Sequence, residues 1–178
     1  MGMDRKALIL DAARQLTLGR GVVPSLNETA SVAGVSKGGL LHHFPSRSAL
    51  VQGLAMAALQ EIDAAMVAAS AENLAAETWL RISVPAGEDV ALFRALAIAH
   101  RAVEVPGDDV AVSSREAIMR WEAMIQDETG DATQARIIRL VGDGLAANMV
   151  AGIEAAPTEA ELDALIDALV RRPGQDRR

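Results

Sequence analysis

Apolar residues recur along this chain at helical spacing. Over residues 4–18, Leu8, Ile9, Ala12, Ala13 and Leu16 share one helical face, and Gly19-Arg20-Gly21 stops the run. Ser25-Leu26-Asn27-Glu28 reads as a capping box, the Ser25 hydroxyl accepting from the Glu28 amide while the Glu28 carboxylate reaches back. It opens a short helix over 26–33 that ends at Gly34, where glycine can turn left-handed. Ser36 caps another short helix, which must end before Pro45. Ser46 then caps a long helix carrying Leu50, Leu54, Ala58 and Ile62 at four-residue spacing.

Helix follows helix from there. The pattern predicts helices over 75–84, ended by Pro85-Ala86-Gly87, and over 89–105, ended by Pro106-Gly107. A third runs over 111–127 to near Gly130, and Asp131 caps a fourth to about residue 153. Thr158-Glu159-Ala160-Glu161 is a second capping box, opening a last helix to about residue 171. No strand alternation, internal repeat or low-complexity linker interrupts the series. The expectation is an all-α protein of about nine helices. A three-helix head would occupy 1–47 and a helical body 48–178, with the helix from about residue 46 shared between them.

Composition narrows the chemistry. With 51% of its residues hydrophobic the chain can bury a real core, although Phe44, Trp79, Phe93 and Trp121 are its only Phe, Trp or Tyr residues. The absence of cysteine excludes disulfides, thiol nucleophiles and cysteine-ligated zinc. No run of 18 apolar residues occurs and MGMDRKALIL lacks a signal-peptide layout, so the expectation is a cytoplasmic protein with no membrane partner. No P-loop, GxSxG, HExxH or EF-hand pattern is present, which points away from an enzyme and from any cofactor. The net charge of −7 conceals an asymmetry. Residues 1–52 hold six basic side chains (Arg5, Lys6, Arg14, Arg20, Lys37, Arg47) against three acids (Asp4, Asp11, Glu28), a net of +3 that leaves −10 for the rest. A basic head on an acidic body suits a polyanion met by the head alone.

The two short helices joined by Gly34-Val35-Ser36 form a helix-turn-helix, which presents the start of its second helix to the DNA major groove. Ala30 is small where the helices cross, Val35 and Leu40 can fill the wedge between them, and Phe44 can lock the second helix to its neighbours. The adjacent His42 and His43 invite a metal reading, but helical neighbours point about 100° apart and no third ligand is near, so no metal is expected. ILDAARQL followed by AGVSKGGLLHHFPSRSAL resembles the N-terminal domain of TetR-type bacterial transcriptional regulators over roughly residues 5–55. The usual pattern there is close to AGVSKGTLYHHFPSKEAL. Gly39 stands where threonine is common and Leu41 where tyrosine is. A branch resembling multidrug-binding regulators uses GGLLYHF, and against it only His42, in place of tyrosine, departs. The segment between Gly21 and Ser25 is one residue shorter than the common spacing.

The resemblance implies roles. Ser25 and Asn27 would approach the DNA backbone. Ser36, Lys37, Gly38, Gly39, Leu41, His42 and His43 would form the groove-facing surface, the glycines making room for DNA. Arg47 would clamp a phosphate, and Arg5 and Lys6 would lie along the backbone or reach a minor groove. Regulators of this type act on a double-stranded DNA operator as two-fold homodimers. Ile138, Val141, Leu145 and Met149, with Gly142, Gly144 and Gly152, and then Leu162, Leu165, Ile166 and Leu169, are the expected dimer stripes, although such stripes can equally face their own core. Arg139 and Asp143 would pair on the surface at i, i+4. Trp79, Phe93, His100, Met119, Trp121, Met124 and Asn148 are candidates for a small-molecule effector site suited to a flat apolar ligand, each equally at home in a core. His100 and Glu104 sit one turn apart, a spacing better explained by a hydrogen-bonded or exposed pair than by metal. The expected function is a ligand-responsive repressor, the alternative a dimeric small-molecule- or protein-binding helical protein whose DNA-binding head has degenerated.

Overall fold

A computed structural model describes residues 4–85, 87–101 and 109–170, and the described residues form nine helices and no strand. In chain order they are α1 (Arg5–Arg20), α2 (Leu26–Ala33), α3 (Lys37–His43), α4 (Arg47–Ala71), α5 (Ala75–Ile82), α6 (Gly87–Arg101), α7 (Asp109–Thr129), α8 (Ala132–Ala151) and α9 (Glu159–Leu169). Local chemistry sets these boundaries. Asp4 caps α1 by accepting from the Lys6 amide at 3.1 Å. Both predicted capping boxes form, Ser25 with Glu28 and Thr158 with Glu161. Ser36 accepts from the Gly39 amide and Ser46 from the Ala49 amide, each at 3.1 Å. Asp131 accepts from the Thr133 and Gln134 amides to open α8. Gly34 ends α2 at φ 66°, the left-handed turn that separates α2 from α3. The first helix runs past the expected stop at residue 18. Thr17 is fully buried, its hydroxyl donating to the Ala13 carbonyl at 2.7 Å, and the turn comes only at Gly21.

The helices gather into two compact units, residues 1–60 with 87–112 and residues 61–86 with 113–178. In the first, Ile9, Ala13, Val23, Ala30, Leu40, Phe44, Leu50, Val51 and Leu54 share one core with Leu92, Ala95 and Leu96 of α6. Arg14 of α1 and Asp89 of α6 add an ion pair at 3.4 Å. A cut after residue 47 would therefore divide a continuous core. The start of α4 and all of α6 pack with the helix-turn-helix, because Leu50, Val51, Leu54 and Leu96 point into it. Among the described residues α4 alone is long and apolar enough to cross a membrane, with a mean hydropathy of 1.3, yet its alanine-rich length carries residues of both unit cores.

In the second unit Trp79 and Trp121 lie 5.4 Å apart at a tilt of 37° and anchor the packing. Each indole N–H is satisfied inside the protein. Trp79 donates to the Arg139 carbonyl at 3.1 Å, and Trp121 to Asp63 Oδ1 at 2.8 Å, where Arg120 also binds. Glu128 of α7 accepts from the Ala76 amide at 2.9 Å, capping the start of α5. The Arg139–Asp143 pair exists but is not a surface pair. Arg139 is only 8% exposed, and its guanidinium donates to Glu122 at 2.5 Å as well as to Asp143. Burial dominates at Asp143 and holds its pKa above the usual aspartate value, with Arg139 opposing and Glu122 reinforcing the rise. Gly142 lets α8 come close to α5, since a Cβ there would lie 2.2 Å from Trp79 Nε1 and 2.6 Å from Ser83 Oγ.

Candidate nucleic-acid interface

The helix-turn-helix sorts its residues by face. Leu40 is fully buried and Phe44 and Ala30 nearly so, which fixes α3 against α2 and α4. One turn of rotation away, Ser36, Lys37, Gly38 and His42 are exposed, with Gly39, Leu41 and His43 half-buried beside them. Asn27 is exposed at the start of α2. Lys37 makes no ion pair among the described residues, so its ammonium is available to a partner. The rings of His42 and His43 meet edge to face at 5.2 Å. The two glycines differ. A Cβ at Gly39 would press the Ser36 cap hydroxyl at 3.2 Å, whereas one at Gly38 would meet nothing within 4 Å. The fold itself does not require glycine at 38.

Two of the expected phosphate ligands are engaged inside the protein. The Ser25 hydroxyl donates to Glu28 Oε2 at 2.7 Å and accepts from the Glu28 amide at 3.3 Å. Arg20 joins the same carboxylate at 2.6 Å. The hydrogen bond from the Ser25 hydroxyl, then that from the Ser25 amide and then that from Arg20, lower the Glu28 pKa to about 2. Arg47 Nη2 donates to the Val23 carbonyl at 2.9 Å, tying the α1–α2 connection to the start of α4. Sequence reasoning missed both links. The capping box was visible in the spacing, but no periodicity pairs Arg20 with Glu28 or a guanidinium with a carbonyl 24 residues earlier.

Residues 9–54 match the family model for bacterial regulatory proteins of the tetR family. Over those residues the head is similar to the N-terminal domain of that family. The fold of the whole chain is similar to the structure of a TetR-family member from Streptomyces coelicolor A3, with a TM-score of 0.67 at 20% identity over 94% of this chain and 99% of that one. No curated protein matches the chain in sequence. Helix order, left-handed Gly34 and buried Leu40 and Phe44 thus sit inside the matched TetR-type segment.

Beyond the TetR-type head, the remaining expectations divide. On α8, Ile138 and Met149 are buried within their own unit, as are Leu162 and Ile166 on α9, so these four do not offer a surface to a partner. The expected α8 stripe thus divides between an inward and an outward side. The outward apolar side carries Ile137 at 47% and Leu140 at 50% exposure, with half-buried Val141 and Leu145 on the same face. A Cβ at Gly144 would meet nothing within 4 Å, whereas Gly152 ends α8 left-handed at φ 72°. Leu165 and Leu169 are half-buried. The effector candidates are not gathered in one place. Trp79 and Trp121 are core with satisfied N–H groups, and Met119 points to solvent at 73% exposure. Asn148 donates to Glu154 at 3.0 Å beside the end of α8. Met124 is half-buried, Phe93 belongs to the other unit, and the side chain of His100 and all of Glu104 lie outside the described residues. A cavity of about 490 Å³ does occur, but in the first unit, bounded by α1, the end of α3, α4 and Val110.

Proposed function

We propose that the protein is a DNA-binding transcriptional regulator that acts as a homodimer and answers to a small molecule. The observation that carries this reading is the outward face of α3. Lys37, Gly38 and His42 stand exposed on a helix whose inner residues are fixed, inside a segment matching the TetR family. One such helix touches too few bases for a specific site. Two, presented about 34–36 Å apart by a two-fold dimer, read successive major grooves of a pseudo-palindrome. The exposed ridge of Ile137 and Leu140, with Val141, open Gly144 and Leu145 on the same face, supports α8 as the surface a second copy covers, Leu165 and Leu169 of α9 flanking it. The effector, taken up by the helical body, releases the operator by favouring a different spacing of the reading helices, a coupling of about 1–3 kcal/mol in typical allostery. Helix α4, like α7, has residues in both units, and because α4 follows the reading helix directly in the chain it carries that change. The GGLL sequence of α3 resembles that of a branch of regulators that bind drug-like molecules, which supports an effector of that class.

Selection of bound duplexes from a random pool, followed by fluorescence anisotropy, tests this reading. The expected result is an inverted-repeat site whose affinity falls steeply as salt rises, because each neutralised phosphate releases counterions. Recovery of no sequence preference would leave the protein as a helical dimer without a DNA function.

A further inference from the structure

We propose that the cavity in the head is a second ligand site, distinct from any effector site in the body, and that it takes a small amphipathic carboxylic acid. Its volume of about 490 Å³ falls in the range of small-molecule sites. Small residues create the space. Ala7 of α1 and Ala49, Gly53 and Ala57 of α4 line it where longer side chains would fill it. The Phe44 ring forms one wall because Gly53 lacks a Cβ, which would lie 2.6 Å from Phe44 Cε1. An apolar ligand body fits against that ring and Met56.

The polar groups in the lining set the class of ligand. Lys6 supplies a cation, while the Gln52 and Gln60 amides and the His43 imidazole add groups that can donate to a carboxylate. Asp4 is the opposing charge in the lining, and its carboxylate already accepts from the Lys6 backbone amide as the α1 cap. A ligand held here touches α1, the last residue of α3 and α4 together. On the proposed DNA-binding reading, with His43 in the groove-facing set that the family resemblance implies, an acid in this site removes that contact and adds a negative charge beside the reading helix. Occupancy then weakens DNA binding directly.

The chain has no cysteine, so a single introduced thiol is unique. Ala57→Cys places one in the cavity wall, and Ala68→Cys places one on the exposed part of α4 as a control. Each full-length variant is equilibrated with disulfide-bearing aryl fragments in matched carboxylate, amide and amine forms under mild reductant, and capture is read by intact mass. The expected result at Ala57→Cys is a preference for the carboxylate over the amine of about threefold, the effect of one half-exposed ion pair. That preference disappears with Lys6→Ala and is absent at Ala68→Cys. Equal preference at both thiols, or a preference that survives Lys6→Ala, overturns the site. Anisotropy with the selected duplex is the second readout. Carboxylate capture at Ala57→Cys that leaves DNA affinity unchanged overturns the regulatory part, while unconjugated protein that binds no DNA faults the reading of the head and not the cavity.

Discussion

Helices α3 and α8 are both amphipathic in sequence, yet one disclosed its outward face and the other did not. In α3 the inward positions are large and apolar, Leu40 and then Phe44, and the outward ones are Lys37, Gly38 and His42. Only one rotation buries the apolar pair, so the groove-facing set follows from the pattern. In α8 apolar residues lie all round. Ile138 and Met149 face the unit's own core, while Ile137 and Leu140 face out. A helix with two apolar sides has two surfaces to cover, and spacing alone cannot say which is covered within the chain.

Opposite behaviour of two apolar positions on either side of Arg139 is the largest effect this comparison predicts. Ile138→Lys forces an ammonium into a fully buried site and should cost about 4 kcal/mol or more, enough to unfold much of the protein at 37 °C. Leu140→Lys changes a half-exposed residue and should leave the urea midpoint nearly unmoved. In sedimentation it should shift the protein toward monomer. A Leu140→Lys protein that remains dimeric would move the interface off this face of α8.

Next in size is the polar cluster behind α8. Arg139→Ala leaves the Glu122 and Asp143 carboxylates facing each other without their shared cation. Because those acids are 27% and 37% exposed, the cost should be about 2–3 kcal/mol, below that of a fully buried pair. Glycines on the two faces of α8 should also diverge. Gly142→Ala pushes a methyl into the Trp79 indole and should cost about 1–3 kcal/mol, whereas Gly144→Ala should raise monomer stability by up to about 1 kcal/mol through helix propensity. Urea titrations in which both substitutions stabilise would remove the close approach of α8 to α5.

What was legible in the sequence follows from the range of each interaction. Capping boxes at Ser25 and Thr158, the left-handed Gly34 and the order of helices are set within four residues, and all were visible. Assignment of α6 to the head's core was not, because Leu92 and Leu96 meet Ile9 and Leu54 across long stretches of chain. The same limit hid the inward bond of Arg47 and the partners that satisfy both indoles. A tryptophan at helical spacing reads equally well as pocket or core until its hydrogen-bond acceptor is seen, Asp63 for the Trp121 N–H and the Arg139 carbonyl for that of Trp79. Met119 stands exposed on a face of α7 that it shares with Arg115, Glu116 and Glu122, where no apolar stripe covers it.

Within the head, the salt dependence of DNA binding separates residues that touch phosphate from those that hold the helices. Lys37→Ala removes an exposed cation from each copy, so affinity should fall about fivefold and the log–log salt slope of the dimer should shrink by about 1.8, about 0.9 per copy. Arg47→Ala should also weaken binding, because the α1–α2 connection loses its tie to α4 at Val23, but the slope should stay as it was. A slope reduced as much as that of Lys37→Ala would return Arg47 to a phosphate contact.

The smallest effect is a difference in the sign of pH dependence between the two units. Glu28 is ionised more readily in the fold, its pKa falling from 4.5 to about 2. The stability it contributes is therefore complete above about pH 4.5 and is lost as pH falls toward 2. Asp143 runs the other way, since burial raises its pKa above 3.8. Its favourable protonated form is present below 3.8, and that contribution is lost as pH rises through the elevated folded value. Denaturation of Glu28→Gln should accordingly show a deficit against wild type near neutral pH that closes as pH drops. Asp143→Asn should show no deficit, or a small gain, near neutral pH that vanishes on acidification. Parallel curves for Glu28→Gln and wild type between pH 5 and 2.5 would mean that the Ser25 and Arg20 bonds to Glu28 do not persist in solution, and the start of α2 would then lose the contact that ties it to the end of α1.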